Sequence, residues 1–169
     1  MTAAVTIQET ARQAACLSRG KFGFAFVDVA RLGLINRHFG RTAGSRVLET
    51  IEAVLVGAPS TERIACRLWG DQFFTALPDV GSVARRMRAL DRTLRRELTR
   101  VGLPTLRHPI HIGAARAGAG TPIREVIDMA ADNLNTGKRE GVWLIASDYS
   151  DHRSGVFSAF PPPRSPGST

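Results

Sequence analysis

Short apolar runs alternate along this chain with segments of helical periodicity. Three runs predict single strands, at residues 22–28, 106–115 and 142–146. Residues 63–77 hold two further runs separated by Trp69 and Gly70, which predicts a hairpin. The order strand, helix, hairpin, helix, strand, helix, strand predicts an α/β sandwich, in which helices flank a mixed, mostly antiparallel sheet.

Three segments keep the spacing of three and four residues that is typical of an amphipathic helix. The first has apolar residues at positions 47, 48, 51, 54 and 55, and Gly57 with Pro59 ends it. The second covers residues 82–101. The third begins at Thr121 and Pro122, where we expect a threonine cap followed by a proline in the first turn.

A length of 169 residues predicts one domain. We expect an N-terminal helix or arm over residues 1–20, the domain itself over 21–147, and a disordered tail rich in Pro, Ser and Gly over 148–169. The sequence contains neither an apolar run of about 20 residues nor the apolar core of a signal peptide. Its two cysteines are 50 positions apart and form no metal-binding motif, so we expect a cytoplasmic protein with reduced thiols and no membrane contact.

The net charge of +8 is concentrated in one predicted helix. Residues 80–107 hold eight arginines against Asp91 and Glu97. Because leucines and methionine occupy one face of this helix, a solvated basic face is the favoured interpretation of Arg85, Arg88, Arg92 and Arg96. An acidic protein partner stays open, whereas nucleic acid is disfavoured because no aromatic residues are interleaved for base stacking.

Two carboxylates stand where strands end. Asp28 closes the first predicted strand, and Asp71 lies in the hairpin turn. Two acids at one sheet edge are suited to hold Mg²⁺ together with a triphosphate, and the metal then polarises the phosphate. The alternative is that both are solvated or capping groups, as most aspartates at such positions are.

Four segments resemble a known family. FVDVARLGLINRHFGRTAGSRVL resembles Asp-Ile-Asp-x-Phe-Lys-x-Ile-Asn-Asp-x-x-Gly-His-x-x-Gly-Asp-x-Val-Leu, and RLWGDQF is similar to Arg-x-Gly-Gly-Asp-Glu-Phe. IHIGAA resembles the strand written Ser-Ile-Gly, and ADNLNTGKREG is similar to Ala-Asp-x-Ala-Leu-Tyr-x-Ala-Lys-x-x-Gly. In this order they resemble the GGDEF domain, the palm-like catalytic fold of bacterial diguanylate cyclases, over about residues 22–146.

The resemblance implies a set of site residues. The metal ligands would be Asp28, the backbone carbonyl of Val29, and Asp71 at the third signature position. The nucleotide-binding residues would be Leu32 and Gly33 through their amides, Asn36 and Ser45 at the guanine edge, Gly70 in the signature turn, and Lys138 on phosphate. Asn36 as a turn cap and Lys138 as a solvated cation are the structural alternatives.

Several positions depart from the family pattern. Trp69 replaces the first signature glycine, and Gln72 replaces the acid at the fourth signature position. An amide accepts no proton from a ribose hydroxyl and adds no charge to a metal site. Ala30 replaces a second acid, Gly33 a lysine and Val142 an arginine that helps to hold phosphate. The changes at residues 30, 33, 72 and 142 each remove a charge from the predicted site.

Two further departures concern recognition and regulation. Ser45 replaces the aspartate that reads guanine, either by drift or, as in the family branch that makes mixed cyclic GMP-AMP, with altered base choice. The product-inhibition motif Arg-x-x-Asp is absent, with Ser60 and Arg63 at its positions.

These observations predict a degenerate GGDEF protein in cyclic-dinucleotide signalling. It would be impaired or inactive as a cyclase, catalytic residues would be missing, and it would act by binding a purine nucleotide or a protein, including a second copy of itself. An active nucleotide cyclase with altered base selectivity and a basic adaptor for an acidic protein or nucleic acid are the alternatives.

Overall fold

The computed structural model describes residues 3–18, 20–56, 64–78, 80–103, 107–118 and 120–149. Within these ranges the elements follow the predicted order. They are α1 (Ala3–Leu17), β1 (Lys21–Val29), α2 (Leu32–Leu55), β2 (Ile64–Arg67), β3 (Gln72–Pro78), α3 (Val83–Arg100), β4 (Ile110–Gly118), α4 (Ile123–Glu140) and β5 (Leu144–Asp148).

The five strands form one sheet with the order β2-β3-β1-β4-β5. Every neighbouring pair is antiparallel except β4 and β5, which are parallel. The predicted α/β sandwich with a mixed, mostly antiparallel sheet is therefore confirmed. In the register, β1 lies at the centre, and Asp28 near its end is opposite Gln72 of β3 on one side and His111 of β4 on the other.

Successive side chains of β1 point to opposite faces of the sheet, and each face has its own hydrophobic core. Ala25, Val27 and Val29 face α2 and α3, whereas Phe22 and Phe24 face α1 and α4. Helix α1 belongs to the second half, since its Ala11 and Ala14 are fully buried there. Asp28 continues the Phe22 and Phe24 series, so its carboxylate lies on the side of the sheet that α4 covers.

Three predicted strand boundaries shift. Strand β4 begins at Ile110 rather than at 106, since residues 107–109 form a bend that ends in Pro109, which has no N–H to donate to a neighbouring strand. Strand β5 begins two residues later than predicted and reaches Asp148, where Arg116 of β4 contacts the carboxylate. Asp148 is thus paired rather than part of the tail, and residues 150–169 of that predicted tail lie outside the described residues.

The start of α4 and the course of α2 also differ from expectation. Pro122 itself is the N-cap of α4, and no side chain caps this end, so the predicted Thr121 cap is wrong. Helix α2 is two helical segments joined at Gly40, whose φ of 83° and ψ of 160° break the helix. Glycine adopts this backbone conformation without the Cβ clash that other residues meet.

Helix α3 matches its prediction within one residue at each end. Ser82 caps it by accepting a hydrogen bond from the amide of Arg85. The apolar stripe at Val83, Met87, Leu90, Leu94 and Leu98 is buried against the sheet. No helix of the described ranges has the length and apolar character needed to cross a bilayer.

Candidate functional site

Asp28 is the centre of a small polar cluster at one end of the sheet. Asp28 is 6 % exposed. The ammonium of Lys138, in the last turn of α4, lies 2.9 Å from Oδ2. The side-chain amide of Gln72 donates to Oδ1 over 3.3 Å. Both carboxylate oxygens are therefore engaged by nitrogen donors from neighbouring elements.

His111 is the third neighbour of Asp28, and it was not among the site residues predicted from the sequence. It lies directly opposite Asp28 in the register of β1 and β4. Its Nδ1 is buried without a hydrogen-bond partner among the described residues. Burial lowers the pKa of His111, and the charges of Lys138 and Arg31 lower it further, while Asp28 opposes the shift. His111 is thus held neutral beside the carboxylate.

The lowered pKa of His111 predicts a loss of stability in mild acid. Below about pH 6.5 the unfolded chain protonates this imidazole more readily than the folded protein, so the free energy of unfolding falls as the pH drops. We expect the thermal midpoint of His111→Asn to fall less than that of wild type between pH 7.5 and pH 5.5. His38→Asn, at an exposed position of α2, is the matched control and should behave like wild type. Equal losses in all three proteins would rule out this role of His111.

Hydrogen bonds from Arg67 hold the hairpin turn between β2 and β3 and connect it to α2. Arg67 donates from Nε and Nη2 to the carbonyl of Gly70, at 3.1 and 2.7 Å, and from Nη1 to Glu52 of α2 at 2.7 Å. Gly70 has a φ of 55°, which favours glycine, and the amide of Gln72 bonds the carbonyl of Trp69. The indole of Trp69 is 58 % exposed at the tip of this fixed turn.

The predicted metal ligands lie at the same sheet end. The amide of Val29 donates to the carbonyl of Asp71 over 3.1 Å, which places Asp71 beside the end of β1. The groups placed against Asp28 are the nitrogens of Lys138 and Gln72 and, opposite in the sheet, His111, whereas Mg²⁺ prefers oxygen ligands. No cluster of three or more His, Cys, Asp or Glu side chains is placed to hold a metal in the part of the chain that the structure describes. As arranged here, the side chains against Asp28 offer a metal ion nitrogen donors and one positive charge rather than a second carboxylate.

The start of α2 provides the other predicted residues. Arg31, in the left-handed conformation with a φ of 56°, is the N-cap, so Leu32 and Gly33 are the first two helical positions. Amides at these positions have no acceptor within the helix. They point out of the helix N-terminus, the arrangement that favours an anion.

The two segments of α2, before and after the break at Gly40, are in close contact. Asn36 lies so near Gly44 that a Cβ added to Gly44 would stand 1.9 Å from the Asn36 Oδ1. Asn36 is therefore packed against the backbone, and Ser45 beside Gly44 is exposed. The two residues predicted at the guanine edge thus lie on the two segments of α2, one on each side of Gly40.

A second polar cluster, which sequence patterns did not indicate, lies on the other side of the sheet. Asp91 of α3 is 2 % exposed, and its Oδ2 lies 3.1 Å from Arg95 Nε and 3.4 Å from His108 Nδ1. The ring of His108 stacks on Trp143, with centroids 4.3 Å apart. Burial raises the pKa of Asp91, against the opposing effect of His108 and Arg95. Asp91 lies next to Leu90 and one turn from Leu94, both on the buried face of α3. This position is the only feature of the sequence that indicates its burial.

The chain matches one family model over residues 4–142, described as diguanylate cyclase, GGDEF domain. No curated protein sequence matches it. It is similar to the GGDEF domain of DgcB from Caulobacter crescentus in complex with c-di-GMP, with 18 % identity over 86 % of this chain and 87 % of that one and a TM-score of 0.65.

Two other solved structures are similar. One is a microbial GGDEF domain that interacts with cyclic di-GMP, with 22 % identity over 88 % of this chain and 94 % of that one and a TM-score of 0.64. The other is the diguanylate cyclase SiaD of Pseudomonas aeruginosa with its activator SiaC, with 19 % identity over 86 % of this chain and 57 % of that one and a TM-score of 0.61. At these identities the structures show a shared fold.

Proposed function

This chain belongs to the GGDEF domain family of diguanylate cyclases, and from that premise we propose that it is a member with impaired or absent cyclase activity. It acts in cyclic-dinucleotide signalling in the bacterial cytoplasm by binding a purine nucleotide or a protein partner. The observation that carries the proposal is the state of Asp28, whose two oxygens are bonded to Gln72 and Lys138.

The Asp28 contacts support loss of turnover for a chemical reason. A cyclase must lower the barrier for attack of a ribose hydroxyl on an α-phosphate, which needs charge stabilisation and a proton acceptor in the transition state. At the fourth signature position, Gln72 donates a hydrogen bond to Asp28, where an acid would accept a proton or add a metal ligand. The indole of Trp69 adds bulk at the adjacent turn.

The residues that remain are suited to binding. Lys138 offers an ammonium to phosphate, and the amides of Leu32 and Gly33 form an anion-binding helix N-terminus. Asn36 and Ser45 supply hydrogen-bonding groups for a purine edge, and the glycine backbone at Gly70 leaves the turn unobstructed on that side, since no atom lies within 4 Å of a Cβ added there. Binding in this site needs no proton transfer.

A protein partner is the second mode of binding in this proposal. The solved relative SiaD is in complex with its activator SiaC. In this chain the exposed face of α3 carries Arg85, Arg88, Arg92 and Arg96, and it suits an acidic protein surface. A second copy of the chain is the other candidate, because the family reaction joins two nucleotides held face to face.

Calorimetric titration with GTP and ATP tests the binding proposal. We expect dissociation constants in the micromolar range or weaker, roughly −8 kcal/mol or less favourable, because several flanking charges are lost. We also expect GTP and ATP to differ by less than about tenfold, because the Ser45 hydroxyl accepts or donates and so discriminates poorly between purines.

CTP is the matched control, since its smaller base should bind more weakly than both purines. Guanine selectivity well above tenfold would contradict the role given to Ser45. If neither GTP nor ATP binds, nucleotide binding is ruled out and only the protein-binding mode of the proposal remains.

A further inference from the structure

The nitrogen donors around Asp28 bear on how a nucleotide is held. In the family pattern this carboxylate is a metal ligand, and the fourth signature position adds a second acid. Here Gln72 Nε2 bonds Oδ1 at 3.3 Å, Lys138 Nζ lies 2.9 Å from Oδ2, and the imidazole of His111 is opposite in the sheet. One ammonium already balances the single negative charge of the buried carboxylate.

We propose that this site binds the polyphosphate of a nucleotide as the free anion, without a divalent cation. In this proposal, which rests on the proposed nucleotide binding, Asp28 is the internal counter-ion of Lys138 rather than a metal ligand. Lys138 exchanges this carboxylate for phosphate when the nucleotide enters. The amides of Leu32 and Gly33 at the start of α2 complete the anion site.

The chemistry of the donor set disfavours Mg²⁺ at this point. Mg²⁺ demands oxygen ligands in octahedral geometry, whereas imidazole nitrogen suits softer metals. The Gln72 amide presents N–H to Asp28, so an ion on Oδ1 must displace it. A divalent ion on Asp28 would also meet the like charge of the Lys138 ammonium, which lies 2.9 Å from the same carboxylate.

An exchange in which Lys138 moves to phosphate and Asp28 then binds Mg²⁺ predicts the opposite results. In that case removal of the Asp28 charge destroys binding. Under the proposal the same change frees Lys138 from its competing carboxylate and strengthens binding. The two schemes are therefore separated by the sign of one mutational effect and by the effect of chelation.

The experiment is a calorimetric titration of the full chain with GTP, once in Mg²⁺ and once in EDTA. We expect the two dissociation constants to agree within about threefold, which is under 1 kcal/mol. Asp28→Asn should bind GTP at least about threefold more tightly in either buffer. Lys138→Met should bind at least about tenfold more weakly in both.

Gln72→Glu is the matched converse variant, because it returns an acid to the side of Asp28. We expect its affinity for GTP to become dependent on Mg²⁺, with a difference of about tenfold between the buffers. Circular dichroism and the thermal midpoint establish that each variant is folded. If Asp28→Asn does not fold, the comparison of wild type in the two buffers decides.

Wild-type binding that is lost in EDTA by tenfold or more, or weaker binding by folded Asp28→Asn, would overturn this inference while leaving nucleotide binding in place. Absence of GTP binding in both buffers would overturn the inference and nucleotide binding together.

Discussion

Gly113→Ala is expected to destabilise the protein by about 3 kcal/mol. A Cβ at this position of β4 would lie 2.0 Å from the amide nitrogen of Leu134 and 2.3 Å from the carbonyl oxygen of Ala130. Both are backbone atoms of α4, so no side-chain rotation relieves the clash and the whole helix must move. For a chain of this size, 3 kcal/mol corresponds to a fall of roughly 6–12 °C in thermal midpoint.

The measurement is the thermal midpoint, followed by circular dichroism. Gly118→Ala, in the same strand, is the matched control, because no atom lies within 4 Å of its added Cβ. We expect the control to stay close to wild type. Since α4 carries Lys138, Gly113→Ala should also weaken GTP binding even where the protein remains folded. A midpoint of Gly113→Ala equal to that of Gly118→Ala would show that α4 is not seated on β4 as described.

The elements that the sequence predicted well are those with strong local periodicity. Helix α3 has an uninterrupted apolar stripe, and β1 is an apolar run ended by an acid, so both agree with the structure within one residue at each end. The predicted start of β4 is too early because residues 107–109 form a bend, in which the Pro109 carbonyl accepts from the amide of Ala30 but no Pro109 N–H is available to a neighbouring strand. The missing N–H of Pro109 was the signal available in the sequence.

The individual site residues came from the family resemblance, but their contacts did not. Lys138 and Asp28 are 110 positions apart in the sequence. They come into contact because α4 packs on both β4 and the central strand β1. His111 was overlooked because no metal-ligand spacing includes it. Counting back from Gly113 along an alternating strand places it on the face of the sheet that α4 covers, which is the signal that was present.

Loss of turnover is the prediction with the largest effect on function. Typical enzymes turn over about ten times per second, and we expect this protein to complete less than one turnover in hours with GTP and Mg²⁺, at least about a hundred-thousandfold slower. The reason is that Gln72 replaces an acid with a hydrogen-bond donor, and the carboxylate of Asp28 is paired with Lys138. An altered base choice at Ser45 would not restore the missing acid. We therefore expect no faster turnover with a mixture of GTP and ATP.

The most direct test is mass spectrometry of the nucleotides after prolonged incubation of concentrated, purified protein with Mg²⁺ and GTP, alone and with ATP. High protein concentration favours the pairing of two copies that the family reaction requires. We predict that the input nucleotides are recovered intact. Cyclic di-GMP or cyclic GMP-AMP formed in excess over the protein would contradict the account and identify the chain as a working cyclase.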